Sequence, residues 1–292
     1  MKPVSFKYSA PGSLAEAAEV LARYGTDAKV LAGGQSLAPL LNMRLARPSV
    51  LVDINRISEL SYIRASDGGI AIGATTRQCQ LETDPLVVER LPALKAVVKW
   101  IGHPQIRNRG TVVGSLAHAD PAAELPAAAL AFEAELTALG PNGTRQLSPD
   151  DLYLGYLFTS LEPDELLTEV RFPPLPAGAG WSLQEVSRRH GDFALAGVIT
   201  VLTLGGEQIG EARVAYFGLG GRAVRLPEVE GMLRGAIPTE ELFEAAAAQA
   251  SSALEADGDI HASAEYRRSI AGVITRRALR EALERARRGA TA

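Results

Sequence analysis

Two glycine-rich segments constrain what this chain can fold into more than any other feature. The first is Ala32-Gly33-Gly34-Gln35-Ser36, and the second is R-N-R-G-T-V-V-G-S-L-A-H-A-D-P-A-A-E-L over residues 107–125. Each reads as a strand end running into a tight turn and then a helix. Adjacent glycines allow positive φ and let a ligand or a second backbone approach where a Cβ would stand. The free N–H groups at the helix starts suit an anion. Two such turns facing each other can hold one long, doubly charged ligand. Neither segment offers an obvious nucleophile, so the chemistry would belong to what is bound. For Gly33-Gly34, turn geometry alone is an equally sufficient reading. Asp120 reads either as a plain N-cap or, with Glu124, as an acceptor for ribose or ribityl hydroxyls.

Composition narrows the alternatives. A 292-residue chain is long enough for two domains. The net charge of −4 gives no global case for nucleic acid or an anionic membrane as partner. The N-terminus lacks an apolar signal-like run, and no stretch approaches a bilayer span, so a cytoplasmic protein is expected. The single cysteine, Cys79, excludes an internal disulfide and a thiolate-held iron–sulfur cluster. The four histidines, His103, His118, His190 and His261, have no metal-ligand spacing. Any cluster or metal must then belong to a partner.

Along the chain, Ser13-x-x-Glu16 predicts a capping box opening a helix that ends before Gly25. Strands are expected at 30–32 and 50–54, with a helix over 37–43 between them. A second lobe begins near Ile57, with a strand at 70–72, Thr75-Thr76 capping a helix, and another helix over 91–101. Asp120-Pro121 predicts a helix start running to about Ala131. A hairpin turns over Gly140-Pro141-Asn142-Gly143, and 166–172 reads as a strand. The linker-like P-P-L-P-A-G-A-G at 173–180 places a domain boundary there, dividing 1–176 (lobes 1–56 and 57–176) from 177–292. Strands at 183–189, 194–204 and 211–218 precede helices at 226–233, 239–256 and 262–287, which predicts a compact α+β domain.

The segments A-G-G-Q-S-L at 32–37, I-R-N-R-G-T-V-V-G-S-L-A-H-A-D-P-A-A-E-L-P at 106–126 and R-H-G-D-F-A-L-A-G-V at 189–198 resemble the flavoprotein subunit of molybdenum hydroxylases, of the aerobic carbon monoxide dehydrogenase type. The resemblance covers essentially the whole chain. It implies an α+β protein. A two-lobed FAD-binding domain of the p-cresol methylhydroxylase type would precede a small C-terminal domain with a three-stranded antiparallel sheet plus helices. By motif match, Ala32, Gly33, Gly34, Gln35 and Ser36 would form the first FAD loop. Gly110, Thr111, Gly114, Ser115, Ala117 and Asp120 would form the second. Glu124 matches a position that usually holds an acid near the ribityl chain, and Ile101 and Phe193 match positions near the flavin ring. Lys29 and Leu161 are further carry-overs. The family commonly has glycine where Val113 stands, so position 113 either takes ordinary strand angles or marks a local difference.

The resemblance further implies non-covalent FAD, since the first loop holds no histidine or cysteine, with His103 a formal alternative attachment point. A partner large subunit would carry the molybdenum cofactor, and a small subunit two [2Fe–2S] clusters, in an (αβγ)2 assembly. This chain would pass electrons to oxygen, a quinone or NAD, with Phe193 gating the ring and no catalytic side chain of its own. Two other classes remain: a self-sufficient flavin oxidoreductase and a non-redox nucleotide-binding module. Outside the motifs, Gly218-Leu219-Gly220-Gly221 reads as a turn. His118 reads as a packing or backbone-bonding residue, Cys79 as a buried small hydrophobe, and Trp100 as core or subunit interface. The arginine-rich last helix reads as a solvated face.

Overall fold

The computed structural model describes residues 1–289. The first lobe is a three-stranded parallel sheet in the order Lys7–Ser9, Val50–Asp53, Ala28–Leu31. Its middle strand buries Val50, Leu51 and Val52, which is why it reads as an apolar run. Helix Leu14–Tyr24 buries Ala17 and Leu21, and Gly25 ends it at φ +48°. The Ser13 hydroxyl caps this helix by accepting from Glu16 N at 3.3 Å. The expected capping box is incomplete, because the Glu16 carboxylate accepts from Gly12 N instead, one residue earlier.

The second lobe carries a five-stranded antiparallel sheet in the order Ile63–Ser66, Gly69–Gly73, Leu166–Phe172, Glu135–Gly140, Gly143–Leu147. Three local expectations fail here. Thr76 does not cap a helix; its hydroxyl accepts from Tyr62 N and donates to Tyr62 O, tying two strand ends. The second glycine-rich segment follows the short helix Pro104–Arg107, not a strand, and itself contains the helix Val112–His118. Asp120 does not open the next helix, which spans Glu124–Ala131 behind Ala123. The Asp120 carboxylate instead accepts from Ala122 N at 2.9 Å, closing an Asx turn.

The C-terminal region is a four-stranded antiparallel sheet, Gly180–Ser187, Ala194–Gly205, Gln208–Phe217 and Val224–Arg225, with the last two-residue strand added to the three expected. Helices Pro227–Leu233, Glu240–Ala253 and Ala264–Gly289 follow. Strand alternation gives this sheet two buried faces. Ala196, Val198, Leu202, Val214 and Tyr216 pack with the helices. Leu183, Ala194, Ile199, Val201, Ala215 and Phe217 belong to the core of the preceding lobes. Gly180 lets the first strand lie against the last helix, since a Cβ there would stand 1.9 Å from Ala282 O. That helix is less solvated than its arginines suggest. Arg267 is buried, donating to Leu195 O, Gly218 O and Asp259, while Arg276 and Arg280 pair with Glu244 and Glu240. Among the described residues no helix is long and apolar enough to cross a membrane, and no cluster of His, Cys, Asp and Glu could hold a metal.

Candidate functional site

The two glycine-rich segments meet. A Cβ on Gly33 would stand 2.5 Å from Arg109 O, 2.8 Å from Gly110 Cα and 2.9 Å from Thr111 N. Any side chain at position 33 would therefore push the two loops apart. Gly34 takes φ +74°, the other requirement that the double glycine serves. Helix Leu37–Asn42 follows, and Ser36 at its N-cap makes no side-chain capping bond. Among the described residues, none of the N–H groups of Gly33, Gly34, Gln35 and Ser36 donates to a protein acceptor. The loop is thus a run of free backbone donors at a helix start.

The second loop is more self-contained than its sequence suggests. Thr111 caps helix Val112–His118 by accepting from Gly114 N at 3.2 Å, and Gly110 N and Ser115 N donate to Ile106 O and Thr111 O. Gly114 is needed because a Cβ would lie 2.4 Å from Thr111 Oγ1; the same position faces the Ala32 methyl at 3.7 Å. Thr111 N and the Ser115 hydroxyl keep no protein acceptor among the described residues. Val113 is a buried helical residue with ordinary negative φ, neither strand nor strained. A valine is compatible with this site because the turn of φ +53° falls later, at Ala119.

Asp120 is half-buried, and Glu124 opens the next helix at 8% exposure with no side-chain hydrogen bond to another residue. Burial pushes the Glu124 carboxyl up to about 7, with the charge of Asp120 adding to the rise. Glu185 stands across the domain junction. Ser182 and Gln184 donate to Glu281 of the last helix, so their face of the strand meets the helices. Glu185 is on the opposite face with Leu183, towards the first domain. Its Oε2 is buried without a partner, and burial plus the Glu124 charge push its carboxyl up to about 8. Sequence reasoning missed Glu185; its only signal is a lone acid in an otherwise apolar alternation.

The remaining expected residues lie apart. Ile101 is nearly buried, at the start of a turn in which Gly102 takes φ +47°. The loop 189–193 reaches this turn. His190 stacks on Trp100 with ring centroids 6.2 Å apart, and a Cβ on Gly191 would stand 2.6 Å from His103 Cε1. Trp100 thus joins the two domains. Phe193, on the same loop, is 67% exposed. Ala117 and Leu161 are half-buried against the core, and Lys29 is exposed on its strand. Cys79 is half-buried, not fully buried. His118 is half-buried, and burial lowers its imidazole below the usual range.

The fold and the paired loops define a two-domain flavoprotein subunit. A family model described as the FAD binding domain in molybdopterin dehydrogenase matches residues 4–175, and one described as the CO dehydrogenase flavoprotein C-terminal domain matches 181–282. The 6-hydroxypseudooxynicotine dehydrogenase complex subunit alpha of Paenarthrobacter nicotinovorans is 45% identical over 98% of this chain and 97% of its own. Among solved structures, the medium-subunit fold recurs in carbon monoxide dehydrogenase from Hydrogenophaga pseudoflava (TM-score 0.95, 40% identity, 98% of this chain and 99% of that one). It recurs again in quinoline 2-oxidoreductase from Pseudomonas putida 86 (TM-score 0.93, 39% identity, 98% and 99%). The chain belongs to the family of FAD-binding medium subunits of molybdopterin-dependent dehydrogenases.

Proposed function

We propose that this subunit takes electrons from [2Fe–2S] clusters on a small partner subunit and delivers them to an external acceptor, oxygen, a quinone or NAD, through FAD held without a covalent bond. A large partner subunit would carry the molybdenum cofactor and the substrate site, in an (αβγ)2 assembly in the cytoplasm. The observation that carries this reading is the contact of Gly33 with Arg109–Thr111 beside a run of free N–H groups. Such a cradle fits a diphosphate: two anionic groups, close backbone approach, and almost no side chain suited to act as a nucleophile. FAD, when bound, supplies the redox chemistry.

The chain's own residues bind and orient. Backbone donors of 33–36 and Thr111, with the Ser36 and Ser115 hydroxyls, would hold the diphosphate. Asp120 and Glu124 would accept from sugar-alcohol hydroxyls. Ile101 and the 189–193 loop would shield the ring, with Phe193 limiting access to it. Lys29 and Leu161 would contribute peripheral contacts. The first loop holds no histidine or cysteine for covalent attachment, Cys79 lies outside both loops, and His103 stands as the formal alternative attachment point. The test is an absorbance spectrum of the purified chain before and after acid precipitation. Flavin bands moving to the supernatant are the expected result. Bands retained in the pellet would overturn non-covalent binding, and a chain that stays colourless with added FAD would overturn the whole reading.

A further inference from the structure

We propose that Arg77 and Asn55 are a positioning pair that fixes the spacing of the two glycine-rich loops, and so sets FAD affinity rather than the stability of the fold. The proposal rests on the flavin-binding reading above. Neither residue lies in either motif, yet together they connect them. The Arg77 guanidinium donates to Arg109 O at 2.5 Å and to Asn55 Oδ1 at 2.5 Å. Asn55 Nδ2 in turn donates to Ala32 O at 2.8 Å. One chain of hydrogen bonds thus runs from the carbonyl before Gly110 to the carbonyl before Gly33. Arg109 O is also the atom that a Cβ on Gly33 would meet first. The group that Arg77 grips is therefore the one whose position decides whether the loops can touch.

The chemistry of both side chains fits this role. A guanidinium presents several N–H donors in a rigid plane and can hold two acceptors at a fixed separation, which an ammonium on a flexible stem does not. The orientation of the Asn55 amide is determined by its surroundings. Its nitrogen faces Ala32 O and Asp53 Oδ1, both acceptors, while its oxygen faces the guanidinium. Reversing the amide would set acceptor against acceptor and donor against donor. Asp53 anchors the pair from below, accepting from Asn55 N at 2.9 Å and from the Tyr8 hydroxyl. The neighbouring segment holds the second loop by Gln78 N to Gly110 O at 2.9 Å and Val112 N to Thr76 O at 3.1 Å, bonds that any side chain at 77 leaves in place. Replacing Arg77 therefore removes the tie between loops while the fold keeps its backbone ladder.

The experiment is amide hydrogen exchange and FAD titration on the full chain and its R77K, R77M, N55A and N55D variants. In the flavin-free chain, R77M is expected to speed exchange at Ala38 and Leu40, whose N–H groups donate to Gly34 O and Ser36 O of the first loop and which Arg77 does not touch, by about tenfold, and N55A to do the same at 108–110, whose N–H groups donate to Pro104 O and Ile106 O. FAD affinity should fall at least tenfold in R77M and N55A. R77K should recover little, and N55D should bind no better than N55A, because a carboxylate oxygen would face Ala32 O. Combining R77M with N55A should add little to either alone. Exchange changes confined to the mutated segment would overturn the proposal, as would FAD affinities equal to that of the unmodified chain. So would losses of flavin-free thermal stability that parallel the losses of affinity. A wild-type chain that binds no FAD would overturn the flavin reading instead, and the exchange pattern would still decide the bridge.

Discussion

The Glu124–Glu185 pair predicts that the flavin-free chain loses stability as pH rises through neutrality, and that E185Q removes much of that loss. Both carboxyls have folded-state values above the usual 4.5, about 7 for Glu124 and about 8 for Glu185. An acid whose folded value is raised binds its proton more tightly in the folded state. Its contribution is fully present below pH 4.5 and is lost as pH climbs through the folded value. Each unit corresponds to about 1.4 kcal/mol. For Glu185 the rise to about 8 would give ~5 kcal/mol, which partial solvent access cuts to about 3 kcal/mol. His118 works in the opposite sense, because its lowered value makes stability rise with pH up to about 6.5. Asp259, held to about 2 by the His261 and Ala262 N–H groups, matters only below pH 4. The clean window is therefore pH 6.5–8.5, and the difference between variant and parent cancels His118 throughout. Urea unfolding of both proteins at half-unit steps measures it. E185Q should gain about 3 kcal/mol relative to the parent between pH 5 and pH 8.5, on top of any pH-independent offset. A difference that stays flat with pH would refute a raised Glu185 carboxyl.

Three further outcomes are expected. G33A should drive its methyl into Arg109 O and Gly110 Cα, so that the purified protein carries less than a tenth of the parent's flavin while circular dichroism shows the same secondary structure. F193A should change acceptor turnover or flavin retention in the assembled enzyme; steady-state assay with two acceptors of different size, together with the flavin-to-protein ratio, checks it. R267M should destabilise the chain by about 3 kcal/mol in urea, because Leu195 O and Gly218 O lose their donor in a buried setting, and R267K should recover only part.

Much of the framework was legible because hydrophobic period and turn residues act locally. The run Ala194–Leu202 reads as a strand, and the structure explains its lack of polar alternation: both of its faces are buried. The helix ends at Gly25 and Thr239 follow from a positive φ and a side-chain cap. Asp120 misled because Asp-Pro suits both a helix start and an Asx turn, and the choice is made by packing around Pro121, whose carbonyl accepts from Gly218 N. Strand Lys7–Ser9 was not read because two of its three residues are exposed and its pairing is with a strand more than forty residues on. The meeting of the two glycine-rich loops was legible by motif, but Asn55, Arg77 and Glu185 were not. Each acts through a partner distant in sequence, and no local pattern encodes which partner that is.

The proposed gating role of Phe193 depends on such non-local contacts. A phenyl ring on a free loop would be a poor gate, since the whole segment could swing aside. Here the loop is pinned at two adjacent positions, by the His190 stack on Trp100 and by Gly191 against Gly102 and His103. Gly191 takes φ +88° in that contact, so both its conformation and its clearance exclude a side chain. The loop's other end continues into Ala194, which is buried in the shared core. With both ends held, the smallest movement that would uncover what lies behind Phe193 is rotation about its side-chain bonds. Rotamer exchange of an exposed aromatic is fast, on the order of nanoseconds. If Phe193 limits access to the flavin as proposed, its opening would be far faster than typical turnover, about 1–1,000 per second. On the proposed role, a gate built this way would select acceptors by size and approach direction and would not slow them by waiting for the domains to part.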